Sequence, residues 1–272
     1  MKYLFDHWDQ IKKKLGDKRV LFFFDYDGTL TPIAQTPRQA VIPKATKELL
    51  RKLSKEPDCK VAIISGRSLK DIKHIVGLKD VIYAGNHGFE IAGPKIRFSI
   101  PVPLSSQSVI RDIAGKFLNR LSGIKGVFIE DKGLTLSVHY RLVGIKDIPV
   151  FDRIFSDVTG PYAARGKIRV NYGKKVYEIK PPVKWDKGRV VLWLLAGQKC
   201  ISGRKNVFPV YAGDDITDED AFEALKKKGL TVFVGRPGIS KADFYLKNTA
   251  DVSKFLRLIL NLRFNYGGTD KS

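Results

Sequence analysis

Two carboxylates, Asp25 and Asp27, stand one residue apart at the end of an apolar run, in Leu21-Phe22-Phe23-Phe24-Asp25-Tyr26-Asp27-Gly28-Thr29. Alternate spacing lets both acids reach one crevice while Tyr26 points elsewhere, and Asp-Gly sets a tight turn just beyond. Paired acids so placed can attack an electrophile, move a proton or bind a hard cation. A second acidic group ends the run Val207 to Ala212, as Gly213-Asp214-Asp215-Ile216-Thr217-Asp218-Glu219-Asp220, with Asp218 one helical turn after Asp214. Between the two groups, Ser65-Gly66-Arg67 follows a third apolar run, and Trp185-Asp186-Lys187-Gly188 puts a lysine at a helix start. Each piece has a plain alternative. Asp214 and Asp215 can cap the next helix, Ser65-Gly66-Arg67 can be an ordinary turn, Lys187 is one lysine among many, and His87 alone can be structural. Their joint appearance, in order and each at an element boundary, favours a site.

The elements that must position these residues alternate. Strand Leu21 to Phe24 is followed by a helix within 43–55, a strand over 60–64, a helix over 69–76 and a strand over 81–84 leading to Gly85-Asn86-His87-Gly88-Phe89-Glu90. This β-α-β-α-β order predicts an α/β fold with a doubly wound parallel sheet. After Pro101 and Pro103 the pattern becomes a helix (106–121), a hairpin (127–130 and 134–141), a helix (148–158) and a second hairpin (167–171 and 175–180), ending at Pro181-Pro182. Helix plus hairpin, twice, describes an inserted α+β domain over 101–182, with 1–100 and 183–272 forming the core. The alternation resumes with a helix over 186–195, strand 207–212, helix 221–227, strand 231–234 and an amphipathic helix near 252–262; the tail from Gly267 is expected to be loose.

With 43% hydrophobic residues, the 272-residue chain has the means for a real core. The net charge of +21 raises nucleic-acid binding, but the lysines are scattered from Lys2 to Lys271, and neither an RNA-binding aromatic motif nor a zinc-finger spacing is present. A lysine-rich surface that also attracts anionic substrates is the reading adopted, with no nucleic-acid partner. Cys59 and Cys200 are far apart and are read as reduced. Met1 to Leu15 has no apolar secretory core and no run reaches membrane-spanning length, so the cytoplasm is the expected compartment, without a membrane partner.

The segments Asp25-Tyr26-Asp27-Gly28-Thr29-Leu30-Thr31-Pro32, Ser65-Gly66-Arg67, Asn86-His87-Gly88-Phe89-Glu90, His139-Tyr140-Arg141, Glu178-Ile179-Lys180-Pro181, Asp186-Lys187-Gly188 and Gly213 to Asp220 together resemble the trehalose-6-phosphate phosphatases of the haloacid dehalogenase-like superfamily. The likeness spans about Leu21 to Leu262, with Lys180 standing where that family usually has arginine. It implies a Rossmann-like core, a cap over 101–182 that selects the substrate, and Mg2+-dependent removal of phosphate from trehalose 6-phosphate. Asp25 would be the nucleophile, forming an aspartyl-phosphate, and Asp27 would protonate the leaving sugar oxygen and then activate water. Ser65 and Lys187 would gather the phosphate. Asp25, the Asp27 backbone carbonyl and Asp214 would surround Mg2+, backed by Asp215 and by Asp218, which would hold a metal-bound water or orient Lys187. The sugar would meet Arg67, Asn86, His87 and Glu90 from the core and Arg141, Lys175 and Glu178 from the cap, although cross-strand charge pairing explains any one cap residue equally well. A trehalose-6-phosphate synthase is the implied supplier of substrate. Two alternatives stay open: another sugar phosphate on the same scaffold, or an inactive regulatory or nucleic-acid-binding relative, against which the intact acids argue.

Overall fold

Five consecutive apolar side chains, Val20 to Phe24, are buried because the strand that carries them is covered on both faces. Val20, Phe22 and Phe24 enter one hydrophobic cluster, Leu21 and Phe23 the other. A computed structural model describes residues 1–16, 18–202 and 207–267, without the side chains of 198–202 and 264–267. The expectations for Cys200 and for the tail beyond residue 267 therefore fall outside what is described. In chain order the elements are β1 (Lys2–Tyr3), α1 (Trp8–Leu15), β2 (Arg19–Asp25), α2 (Lys44–Leu53), β3 (Cys59–Ile64), α3 (Leu69–Val76), β4 (Ile82–Gly85), β5 (Glu90–Gly93) and β6 (Ile96–Ser99). Then come α4 (Leu104–Arg120), β7 (Phe128–Asp131), β8 (Leu136–His139), α5 (Ile148–Ala164), β9 (Arg169–Gly173) and β10 (Val176–Lys180). The chain closes with α6 (Lys187–Ser202), β11 (Val207–Gly213), α7 (Glu219–Leu225), β12 (Leu230–Val234), β13 (Phe244–Leu246) and α8 (Thr249–Gly267). Two compact units result, Met1–Phe98 with Trp185–Ser272, and Ser99–Lys184.

The first unit is a doubly wound α/β fold. Its sheet runs β1-β13-β12-β11-β2-β3-β4-β5-β6, parallel from β1 to β4, with β5 antiparallel to β4. Helices α1, α2, α3 and α8 bury Ile11, Leu50, Ile72 and Phe255 on one face, and α6 and α7 bury Val191, Leu194 and Phe222 on the other. From β2 the chain winds outward through β3 and β4, then returns to build β11, β12 and β13 on the opposite side. The order therefore reverses between β2 and β11, and ligands of open α/β sheets bind in the crevice outside the strand ends at such a point.

The second unit is a four-stranded antiparallel sheet, β7-β8-β10-β9. Leu136, Val138 and Ile179 face α4 and α5, packing on Phe117, Phe151 and Phe155. Alternation turns Glu130, Ser137 and Glu178, which sit opposite one another across three strands, to the other face.

Several boundaries differ from expectation. Helix α5 continues past Gly160-Pro161 to Ala164 rather than stopping near Val158. Its last turn is held by Tyr162, which packs on the unit's core and whose hydroxyl bonds Asp112 of α4. Helix α7 ends at Leu225, two residues early, because Lys226 is extended and Lys227 left-handed (φ +63°). Strands β1 and β13, two and three residues long, pair with each other. Such short strands owe their form to sheet neighbours, and carry no pattern of their own. Among the described residues, no helix is long and apolar enough to cross a membrane.

Candidate active site

The carboxyl ends of β2 and β11 bring two distant acids together. Asp25 is the last residue of β2, and Asp214 follows the last residue of β11; both are buried. Lys187, at the start of α6, is buried against them and donates to Asp25 Oδ1 at 2.6 Å and to Asp218 Oδ1 at 2.7 Å. Asp218, fully buried, accepts from the Asp214 and Asp215 backbone N–H groups through Oδ2, at 3.0 and 2.9 Å, and from the Tyr211 hydroxyl through Oδ1 at 2.6 Å. Thr29 reaches Asp214 Oδ1 at 3.5 Å. Asp218 thus bonds Lys187 directly, as orienting that lysine requires.

Close approach explains two glycines. A Cβ on Gly28, where φ is +89°, would lie 2.2 Å from Asp214 Oδ2, and one on Gly213 would lie 2.2 Å from Asp218 Cγ. Any larger residue would push the acids apart.

Electrostatics then set the chemistry. One oxygen each from Asp25, Asp214 and Asp218 lie within 4.8 Å of one another, so three buried carboxyl groups gather about one lysine ammonium. Burial pushes the Asp25 carboxyl well above the usual carboxylate range; Lys187 opposes the shift, and Asp218 and Asp214 add to it. Burial works against the Lys187 charge, but Asp218 and Asp25 outweigh it and raise the ammonium further. An all-oxygen donor set fits a hard divalent cation.

Around this centre, Ser65 is buried just after β3, its hydroxyl accepting from Arg67 N at 3.2 Å. Arg67 turns onto Asp27: Nε and Nη2 donate to the two carboxylate oxygens at 2.8 Å each, while Nη1 reaches Asp71 at 2.9 Å and Nη2 the Pro37 carbonyl at 2.8 Å. Asn86 is fully buried, donating Nδ2 to Glu90 Oε2 at 2.7 Å. Asn86 N and His87 N donate to the Arg67 and Ser65 carbonyls at 2.7 and 2.9 Å. Asn86 and His87 are both left-handed, with φ of +50° and +56°, conformations that persist only where surroundings enforce them. So this strained turn clamps the loop that carries Ser65 and Arg67. Asp215 caps the turn into α7.

Within the second unit, Glu178 bonds Lys180 at 3.0 Å and approaches Lys132 at 3.9 Å on the polar face of the sheet. Lys180 thus keeps a single-point ion pair, for which the planar fork of arginine is not needed. Arg141 and Lys175 lie at the loop end: Arg141 Nη2 donates to the Lys174 carbonyl at 2.6 Å, and Lys175 Nζ lies 5.4 Å from the centre of the Tyr140 ring. Two residues escaped the sequence reading. Lys132 is marked only by its place beside an alternating strand, and Tyr211 reads as one more apolar residue of β11.

The sequence profile of the family described as trehalose-phosphatase matches residues 23–250. Among curated proteins, a probable trehalose-phosphate phosphatase 3 of Oryza sativa is 34% identical over 266 residues, 91% of this chain and 71% of that protein. A trehalose-phosphate phosphatase of Mycobacterium tuberculosis is 35% identical over 249 residues, 89% of this chain and 61% of that protein. The solved C-terminal domain of the C. albicans trehalose-6-phosphate phosphatase superposes with a TM-score of 0.79 at 27% identity, covering 93% of this chain and 96% of that one.

Gly28→Ala should be costlier than Gly77→Ala, by about 1–2 kcal/mol in urea unfolding without metal. Both glycines are left-handed, but at Gly77 (φ +62°) an added Cβ meets nothing nearer than 3.6 Å, so only strain of about 1–2 kcal/mol is incurred. Equal costs would mean that Asp214 does not depend on the glycine.

Proposed function

Because the chain belongs to the trehalose-phosphatase family, we propose that it hydrolyses trehalose 6-phosphate to trehalose and inorganic phosphate with Mg2+, in the cytoplasm. The observation that carries this reading is the buried Asp25–Lys187–Asp218 chain beside Asp214, at the point where the sheet reverses.

The obstacle to the reaction is charge. A carboxylate approaching a phosphate dianion at about 4 Å meets roughly 4 kcal/mol of repulsion per charge pair at an effective dielectric near 20. Asp25 and Asp214, with the Asp27 carbonyl, would hold Mg2+, which when bound supplies positive charge to the phosphate oxygens. Lys187 spends two of its three N–H donors on Asp25 and Asp218 and has the third for a phosphate oxygen. Ser65 adds a hydroxyl donor. Asp25 attacks phosphorus, the bond to the sugar oxygen breaks, and Asp27, which carries a proton only once one of its oxygens is released from Arg67, gives that proton to the sugar oxygen. Asp27 then takes a proton from water as the water attacks the aspartyl-phosphate, freeing phosphate and restoring Asp25. The bidentate grip of Arg67 orients Asp27 between these steps, a positioning role in place of contact with the sugar.

We assign substrate choice to the second unit, whose polar face offers Glu178, Lys180 and Lys132, with Arg141 and Lys175 at its edge. The Asn86 and His87 backbones hold the Ser65 loop, and Glu90 accepts from the Asn86 side chain beside it. A synthase that makes trehalose 6-phosphate would supply the substrate.

Phosphate release over a panel of sugar phosphates, with Mg2+ and with chelator, tests the reading. Trehalose 6-phosphate should be the best substrate, and only with metal; a preference for glucose 6-phosphate would overturn it. Glu178→Gln should lower kcat/KM for trehalose 6-phosphate about 10- to 100-fold, the worth of a charged hydrogen bond, and far less for p-nitrophenyl phosphate. Equal losses on both would remove Glu178 from sugar recognition.

The pH dependence of metal binding follows from Asp25. A raised carboxyl pKa in the folded state favours the fold at low pH and loses its contribution as pH rises through that pKa, since Lys187 offsets only part of the cost of burying the charge. Mg2+ binds the ionised form and displaces the proton. The gain in Tm on adding Mg2+ should therefore grow as pH rises through the raised Asp25 pKa. A gain that stays flat would mean that Asp25 is not a ligand.

A further inference from the structure

Asp218 lies close enough to Asp25 and Asp214 to share an ion with them, since one oxygen from each falls within 4.8 Å of the others. Its hydrogen bonds exclude that. An ionised carboxylate has about four acceptor positions, and four protein donors fill them. Lys187 Nζ at 2.7 Å and Tyr211 Oη at 2.6 Å take Oδ1, and the Asp214 and Asp215 N–H groups at 3.0 and 2.9 Å take Oδ2. Three of these donors have other reasons to be where they are: two are backbone groups of the loop itself and one is the lysine that also bonds Asp25. The tyrosine hydroxyl is the exception.

Tyr211 is fully buried, and alternation along β11 turns it toward the α6 and α7 face. Its ring meets Phe222 of α7 edge-on, with centroids 5.6 Å apart and planes at 87°, and stacks against Phe23 of β2 at 6.3 Å. Both sides of the ring are thus fixed by core packing, and the hydroxyl is delivered to one place. A neutral donor there holds Asp218 Oδ1 without adding charge to a space that already gathers three carboxyl groups.

We infer that Tyr211 is a positioning residue: its hydroxyl fills the last acceptor position of Asp218, which keeps Asp218 off the metal and leaves Lys187 shared evenly between Asp218 and Asp25. This role rests on the hydrolysis proposed above, in which Lys187 and a cation serve the phosphate. Without the hydroxyl, Oδ1 is left with an unmet lone pair in a buried site, a costly state that the carboxylate relieves by turning toward the cation or drawing Lys187 away from Asp25.

Tyr211→Phe tests this, read first by calorimetry of Mg2+ binding without substrate. The variant should bind Mg2+ about tenfold more tightly, with a third carboxylate available, and its kcat for trehalose 6-phosphate should fall about 10- to 100-fold with KM little changed. Tyr83→Phe is the control, since the Tyr83 hydroxyl bonds only the Leu78 backbone at 2.8 and 2.9 Å; it should leave Mg2+ affinity and kcat at wild-type values. In an Asp218→Asn background, Tyr211→Phe should add no further loss of kcat, and this comparison also serves if the single variant folds poorly. Wild-type Mg2+ affinity and kcat in Tyr211→Phe, or an additive loss in the double variant, would overturn the assignment. Because the Mg2+ titration needs no substrate, a failure of the trehalose reading would leave it interpretable.

Discussion

A lysine ammonium buried between two carboxylates is a demand on everything around it, because each buried charge is costly unless its partners are held in place. Lys187, Asp25 and Asp218 come from α6, β2 and the loop after β11, so the contact exists only if the two halves of the sheet meet with β2 and β11 as neighbours. The register of those strands, from Val207 opposite Arg19 to Ala212 opposite Phe24, brings Gly213 level with Asp25 and starts the Asp214 loop one residue beyond it. Gly28 and Gly213 remove the side chains that would keep the two loops apart. The same packing gathers three carboxyl groups about one lysine, a donor set that would suit the proposed divalent cation.

Much of this was legible in the amino-acid order. The unbroken run Leu21 to Phe24 signals a strand covered on both faces, and an acid at the end of such a strand must lie where the sheet's strands end, as Asp25 does. Asp214 and Lys187 follow by the same argument from β11 and α6. Side-chain partnerships were not legible. Arg67 looks like a residue for the substrate, yet its guanidinium is bound to Asp27, forty residues away in sequence, and nothing local in Ser65-Gly66-Arg67 reports that partner. Asn86 reads as a polar contact for a sugar, and nothing local in the sequence reports its burial or the bond its backbone makes to the neighbouring loop. Tyr211 was hidden for the opposite reason: an aromatic residue in a buried strand is expected to pack, and it does, while its hydroxyl reaches Asp218. Short strands such as β13 depend on neighbours for their existence, so no window of sequence contains them.

The second unit shows how a sheet divides labour between its faces. Leu136, Val138 and Ile179 supply the core against α4 and α5, and the alternate positions Ser137 and Glu178 are then released from packing. A polar face stabilised by its own ion pairs, Glu178 with Lys180 and Lys132, can vary in chemistry without loss of the fold. Under the proposed assignment of substrate choice to this unit, division of this kind would let one core serve different substrates.

The central claim is that Asp25 itself receives the phosphoryl group, and capture of that state tests it most directly. The enzyme turning over trehalose 6-phosphate with Mg2+ is quenched in acid, digested and examined by mass spectrometry. The account predicts a phosphoryl group on the peptide that contains Asp25, appearing during turnover and absent from Asp25→Asn. A phosphoryl group on another residue, or rapid turnover by Asp25→Asn, would contradict it.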